Sequence, residues 1–378
     1  RLTTAQVVAL TSDQVSSLKT AQLASLSTAQ IAVIETDDLV TLSTAQIRGL
    51  TTAQVASLTT DQLVTMGTDQ VAAFTTTQIT ALTTKQVVAL TTDQAAVLTT
   101  AQAASLTTAQ IVAIETDDLQ AMTTAQIRGL TTAQVVALTT DQLVSMGTDQ
   151  VAAFTTAQIT ALTTKQVVAL TTDQVSSLTT AQIASLTTAQ IAVLETDDLQ
   201  AMTTAQLVAM TTEQIPTLTT AQVVALTSDQ VSSLKTLQLA ALSTAQIAAV
   251  ETDDFAGLST AQIRSLTSAQ VAALTTGQIA SMGTDQVASF SATQIPSLMT
   301  KHVVALSNEQ VAALTKTQLA AMTTAQMLSM EIADVPYIAV GQISGLTTAQ
   351  LAAMSTSQTA AFTDDQLAAM SATQLAAF

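Results

Sequence analysis

The sequence predicts an all-α solenoid, in which short capped helical turns, one in each eight-residue repeat, wind into a superhelix. Three observations support this fold class. The chain repeats with an unbroken period of eight from residue 3 to residue 378, which gives 47 octads. Each octad opens with residues typical of a helix N-terminus. Each octad also carries two apolar positions three residues apart, and this spacing places both on one face of a helix.

The first octad, Thr3 to Leu10, defines positions one to eight of the repeat. Position one is usually Thr or Ser, and position four is Gln in all but six octads. Together they form the Ser/Thr-x-x-Gln capping box, in which each side chain accepts from the other residue's backbone N–H. Position three is often Asp, which the helix dipole favours in the first turn. We therefore predict that a capped helix begins in every octad.

Positions five and eight are apolar throughout, apart from Thr359 at position five. One continuous helix is excluded, because eight residues advance about 800°, or roughly 80° beyond two turns, and the apolar stripe would spiral around the helix. The chain must therefore break and restart at each Thr pair. We expect helical pieces of roughly one and a half turns, with positions five and eight pointing inward.

The alternative fold is a β-solenoid with three octads in each coil. Thr and Val suit strands, but such coils usually turn on Gly, Asn or Asp, and Gly totals nine. Positions five and eight would also face opposite sides of a strand. Pro216, Pro296 and Pro336 occupy position six, where a helical N–H is normally bonded. Either these pieces are distorted, or the helices begin later than the capping box indicates.

We expect the repeats to form a single continuous array, residues 1–378, without a linker or a domain boundary. Residues 11–39 and 227–255 are nearly identical, and they belong to a larger repeat unit that starts at residue 3 and again at residue 219. Neither end of the sequence carries the polar capping unit that a solenoid needs. We therefore expect the array to be an excerpt of a longer chain, with secretion and anchoring signals outside it.

Charge and composition exclude several kinds of partner. Ten basic residues against 27 acidic residues give a net charge of −17, which repels nucleic acid. No apolar run approaches the ~20 residues that a membrane helix needs, so we expect no membrane insertion. The chain has no Cys, which excludes disulfides and thiolate metal sites.

A variant octad that opens with Glu-Thr-Asp-Asp occurs four times, at residues 35, 115, 195 and 251, and its three carboxylates are the kind of ligand that Ca²⁺ binds. The glycines and alternating Asp residues of a calcium loop are missing. The other interpretation is a capping variant, in which Asp at position four still accepts from backbone N–H groups. The candidate calcium ligands are Glu35, Asp37, Asp38, Glu115, Asp117, Asp118, Glu195, Asp197, Asp198, Glu251, Asp253 and Asp254.

Two further features accompany the acidic octads. Arg48, Arg128 and Arg264 each occupy position six of the octad that follows an acidic octad, and this constant offset predicts an ion pair one or two octads further on. His302 is the only His and occupies position four. No nucleophile or orienting partner accompanies it, so a catalytic triad is excluded and His302 is predicted to substitute for the capping Gln. The sequence predicts no catalytic residue, no cofactor and no enzymatic activity.

The Leu-Thr-Thr-Ala-Gln-Ile/Val octads resemble the Thr-Thr-x-Gln octapeptide-repeat arrays of large bacterial cell-surface and secreted proteins. The resemblance implies an extracellular or cell-surface location and an adhesin-like or fibre-like setting. We predict a structural protein region that forms a stalk, fibre or matrix filament and associates with copies of itself. The alternatives are a periodic ligand-binding or Ca²⁺-binding adhesin module and, from the regular array of Thr pairs, an ice-binding surface.

Overall fold

A computed structural model describes residues 2–378, and these residues contain helices and no strand. The predicted all-α class is confirmed, and the β-solenoid alternative is wrong. Forty-three α-helices and four 3-10 helices correspond one to one to the 47 octads. The chain divides into two compact units, of which the first ends at Val193 and the second runs from Leu194 to Phe378. Each unit is a helical solenoid.

The α-helices begin at position two and end at position five, six or seven. The first unit contains Thr4–Val8, Ser12–Ser16, Thr20–Ala24, Thr28–Ile31, Thr36–Leu39, Thr44–Gly49, Thr52–Ser57, Thr60–Thr65, Thr68–Ala72, Thr76–Ala81, Thr84–Val88, Thr92–Ala96, Thr100–Ser105, Thr108–Ala113, Thr116–Ala121, Thr124–Gly129, Thr132–Ala137, Thr140–Ser145, Thr148–Ala152, Thr156–Ala161, Thr164–Ala169, Thr172–Ser177, Thr180–Ser185 and Thr188–Ala192.

The second unit contains both kinds of helix. Its α-helices are Thr196–Ala201, Thr204–Ala209, Thr220–Val224, Ser228–Ser233, Thr236–Ala241, Thr244–Ala249, Thr252–Ala256, Thr260–Ser265, Ser268–Ala273, Thr276–Ser281, Thr284–Ser289, Thr300–Val304, Asn308–Ala312, Lys316–Ala321, Thr324–Ser329, Thr348–Ala353, Thr356–Thr359, Asp364–Ala368 and Ala372–Leu375. Its 3-10 helices are Ile215–Thr217, Ile295–Ser297, Ile332–Tyr337 and Val340–Gly345.

The chain changes direction at positions eight and one, where two consecutive residues leave the helical region. Leu138 has φ −55° and ψ 135°, and Thr139, the next N-cap, has φ −71° and ψ 160°. These extended residues end one helix and aim the next. The predicted break at each Thr pair is therefore confirmed.

Helices stack at intervals of three octads within each unit. Thr132–Ala137 packs against Thr108–Ala113 on one side and Thr156–Ala161 on the other. In the second unit, Thr260–Ser265 packs against Thr236–Ala241 and Thr284–Ser289 in the same way. The core between these levels consists of the side chains at positions five and eight, which are buried in most octads. Because a lone octad lacks this neighbour, its apolar side chains are covered only when coils stack.

The three octads with proline at position six are distorted, which was one of the two expectations for them. They form the 3-10 helices Ile215–Thr217, Ile295–Ser297 and Ile332–Tyr337. Proline lacks the N–H that would bond the carbonyl four residues earlier, so the tighter 3-10 pattern replaces the α-helical one. None of the helices in residues 2–378 is long and apolar enough to cross a membrane.

Candidate functional site

The capping box forms as predicted. In the octad that begins at Thr139, the Thr139 N–H donates to Gln142 Oε1 over 2.9 Å, and the Gln142 N–H donates to Thr139 Oγ1 over 3.1 Å. These bonds satisfy two of the N–H groups that a helix start leaves without an intrahelical partner. Where position one is Gly147, only the bond to the Gln150 side chain remains, at 3.0 Å.

The same glutamine side chains also join successive coils. Gln142 Nε2 donates to the carbonyl of Ile111 over 2.9 Å and to that of Ile114 over 2.7 Å. In the second unit, Gln270 Nε2 donates to Leu239 and Leu242 over 2.8 and 2.7 Å. We call this set of bonds, from position four to the carbonyls of positions five and eight in the fourth preceding octad, the glutamine ladder. Since helices pack three octads apart and the ladder reaches the fourth, one superhelical turn takes between three and four octads.

The ladder buries a polar side chain without leaving its amide unsatisfied. Gln142 is only 3% exposed, and its oxygen accepts from the N-cap while its nitrogen donates to the coil before it. Buried polar groups are stable only when they are bonded in this way. The pattern at position four predicts capping alone, and the ladder is a second role that this prediction does not include. One sequence feature indicates the ladder, which is the absence of Glu at position four. Glu completes a capping box as well as Gln does, but its side chain has no N–H to donate to another coil.

The acidic octads lack the capping box. Asp118 is 4% exposed at position four, but the helix Thr116–Ala121 starts at Glu115 without a side-chain cap bond. The helix Thr36–Leu39, which contains Asp38, likewise starts at Glu35 without a side-chain cap bond. The expectation that these Asp side chains accept from backbone N–H groups is wrong, because Asp is one methylene shorter than Gln and does not reach back to the N-cap.

The buried Asp residues differ in their partners. Asp38 Oδ1 accepts from the Ser12 hydroxyl over 2.7 Å, and Asp254 Oδ1 accepts from Ser228 over 2.5 Å. Asp334 occupies position four of an octad that opens with Glu331-Ile-Ala. In contrast to Asp38 and Asp254, Oδ2 of Asp118 and Oδ2 of Asp334 are buried with no hydrogen-bond partner among residues 2–378. Burial, followed by the charges of Glu115 and Asp117, raises the pKa of Asp118 to about 6. Burial and Glu331 raise the pKa of Asp334 as well.

The structure does not bring the candidate calcium ligands together. In each acidic octad, the Glu at position one and the Asp at position three are exposed, whereas the Asp at position four is buried beneath them. The part of the chain that is described, residues 2–378, contains no group of three or more His, Asp or Glu side chains placed to hold a metal ion. The calcium hypothesis therefore has no ligand cluster to support it.

Arg48 contacts a different group from the one predicted. Its Nε donates to the carbonyl of Ala73 over 3.1 Å, in the octad packed three repeats further on. The observed bond is therefore to a backbone carbonyl rather than to a carboxylate one or two octads away. It adds a polar contact between neighbouring coils.

His302 replaces glutamine in both of its roles. Its Nδ1 accepts from the Met299 N–H at 3.0 Å, and its Nε2 lies 2.7 Å from the Leu274 carbonyl in the preceding coil. These two partners require the neutral tautomer with the proton on Nε2. Burial is the main cause that lowers the pKa of His302. The prediction that His302 substitutes for the capping Gln is confirmed, and the ladder bond adds a second role.

The fold and the glutamine ladder define a tandem-repeat protein of the helical solenoid class. The ALTTAQ repeat model matches seven segments that together cover just over half of the chain, and the chain belongs to this repeat family. The matched segments are residues 31–68, 111–148, 143–180, 156–188, 176–204, 191–228 and 247–284. Comparison with curated proteins gives no match. The family and the repeated ladder identify the chain as a repetitive structural region.

Proposed function

We propose that this chain is a non-enzymatic structural region that associates with copies of itself to form a stalk, fibre or matrix filament of a bacterial surface or secreted protein. The glutamine ladder carries the proposal. In each unit, position four is used to join coils, and positions five and eight fill the core. Positions one, two, three, six and seven are left for contacts with other molecules, and they repeat with the coils.

An exposed apolar column on the first unit provides the contact surface. Val64, Val88, Val112 and Val136 occupy position six of helices that pack consecutively, at intervals of three octads. Their side chains are 43–49% exposed. We call these four residues the valine column. Contiguous exposed apolar surface of this kind is typical of protein interaction sites.

The charge distribution favours a second copy of the chain as the partner. Octads 83–90, 107–114 and 131–138 contain no acidic residue, and Lys85 is their only charged residue. The chain as a whole carries a net charge of −17, which makes two copies repel each other. Around Val88, Val112 and Val136, two copies therefore meet without acidic residues of these octads facing each other, whereas the octad of Val64 contains Asp61. The column also repeats at the spacing of the coils, so two copies present matching rows of side chains.

Sedimentation velocity and electron microscopy of the full chain test this proposal. We expect the wild type to form larger species as its concentration rises, and the variant V88D/V112D to lose them, because it places carboxylates in the valine column. Val224 is equally exposed at 43%, but the residues at the same position three octads before and after it are Gln200 and Ala248. V224D is the matched control and should still associate. A wild type that stays monomeric at all concentrations would contradict self-association.

A further inference from the structure

The octad of Asp118 interrupts the glutamine ladder at one buried point. In the octads on either side, Gln110 Nε2 donates to the Leu82 carbonyl over 2.7 Å, and Gln126 Nε2 donates to the Leu98 carbonyl over 2.6 Å. The corresponding acceptor for residue 118 is the carbonyl of Leu90, at the same offset along the chain. Among the described residues, no hydrogen bond reaches this carbonyl. A carboxylate cannot supply one, because an ionised Asp only accepts.

We propose that Asp118 is a proton-binding site that completes the ladder on acidification. The carboxylate takes up one proton from solvent, and the resulting O–H donates to the Leu90 carbonyl in place of the glutamine amide. The carboxyl that binds this proton is 4% exposed and its Oδ2 has no partner in residues 2–378. Asp334 presents the same arrangement, with the Leu306 carbonyl in the place of Leu90, and is inferred to act in the same way.

The charges around Asp118 favour the protonated form. Glu115 and Asp117 belong to its own octad, and both raise the pKa of Asp118. Asp93 lies on the packed helix Thr92–Ala96, and Asp141 lies on the packed helix Thr140–Ser145. The nearest bases in the sequence contact other surfaces, since Lys85 lines a groove with Thr60 and Arg128 lines one with Phe154. Unopposed acidic neighbours and burial both disfavour the ionised carboxyl.

The acidic octad of Asp38 explains why Asp118 is distinct. Asp38 accepts from Ser12, which lies at position two of an octad in the preceding coil. The residue at the same offset before Asp118 is Thr92, which supplies no hydrogen bond to Asp118 Oδ2. A hydroxyl donor stabilises the ionised form of a carboxyl. A Thr92→Ser substitution therefore gives Asp118 the partner that Asp38 already has.

Carboxyl ¹³C NMR of the full chain, titrated with acid, tests the proposal, with the Asp118 resonance identified by its loss in Asp118→Asn. We expect a midpoint of about 6 rather than the ordinary 3.8, and a lower midpoint in Thr92→Ser. A midpoint near 3.8 in the wild type would overturn the proposal. So would a saturable response to Ca²⁺ that removes the titration, because a cation would then occupy the place assigned to the proton.

The free energy of unfolding, measured as a function of pH, distinguishes protonation of Asp118 from a general effect of charge. The pKa of Asp118 is raised on folding, so its stabilising contribution is complete below 3.8 and is lost as the pH rises through about 6. Asp118→Asn, whose amide donates at every pH, should lack this part of the pH dependence. Asp38→Asn is the matched control and should keep it. Equal pH dependence in the wild type and in Asp118→Asn would contradict the proposal, whatever the outcome for self-association.

Discussion

Gln142 donates from its side-chain nitrogen to the carbonyl of Ile114 over 2.7 Å, across 28 residues of sequence. The same side chain accepts from the N-cap of its own helix. One residue type thus starts each helix and fixes where the next coil lies. A short repeat can therefore specify a long-range contact, because the same bond recurs in octad after octad.

Gln142→Glu should destabilise the first unit although it preserves the capping box. Glutamate accepts from the Thr139 N–H as glutamine does, but it places a carboxylate against the carbonyls of Ile111 and Ile114. Leaving buried acceptors without a donor costs about 1–3 kcal/mol, and more when a charge is buried. Hydrogen exchange over residues 107–146 should speed up accordingly, and the urea midpoint should fall.

Gln14→Glu is the matched control. Gln14 accepts from the Thr11 N–H at 3.0 Å, but it is exposed and its amide makes no ladder bond. The substitution keeps the cap and removes nothing else, so we expect a change within about 0.5 kcal/mol. If both variants lost the same stability, the ladder would contribute nothing beyond the cap.

The helix starts were predictable because their causes are local. Thr139 and Gln142 lie within one octad, and the capping box needs no information from another coil. The coil spacing was not predictable, because the ladder bonds of Gln142 reach carbonyls in a different coil. The two acidic octads of Asp38 and Asp118 have the same four-letter motif. They differ through the residue that faces them from the preceding coil, Ser12 or Thr92, which no local pattern reveals.

The 3-10 helix Val340–Gly345 also depends on a contact with another coil that no local pattern reveals. A proline in the sequence predicts the distortion of the other three octads, but the octad of Val340–Gly345 contains no proline. Its N-cap is Ala339, which has no side-chain oxygen, and Gln342 Oε1 accepts instead from the Lys316 N–H in the preceding coil. The missing cap was visible in the sequence, whereas the new partner was not.

His302 should make the free energy of unfolding decrease as the pH is lowered. Folding lowers the pKa of His302 from its ordinary 6.5, so the unfolded chain binds the proton more readily and stability is lost as the pH falls below 6.5. A proton on Nδ1 would also break the bond from the Met299 N–H. His302→Gln keeps both bonds and should remove this part of the dependence. Urea unfolding of both proteins between about pH 5 and pH 8 measures the difference, and superimposable curves would rule the effect out.

Gly345→Ala should destabilise the second unit, because two backbones approach closely there. A Cβ at residue 345 would lie 2.5 Å from the Lys316 carbonyl oxygen and 3.0 Å from Lys316 Cα. These atoms belong to the backbone of the packed helix Lys316–Ala321, so relief requires the coil to shift. Overpacking of this kind costs about 1–3 kcal/mol.

Gly341→Ala separates this contact from the general effect of replacing glycine. Both residues lie in Val340–Gly345, neither has positive φ, and a Cβ at residue 341 meets nothing within 4 Å. Because alanine restricts the unfolded chain, we expect Gly341→Ala to be neutral or to stabilise by about 0.4–1 kcal/mol. Urea unfolding and hydrogen exchange over residues 315–346 measure both variants. A Gly345→Ala protein as stable as Gly341→Ala would mean that these coils are not packed as closely as the contact with Lys316 requires.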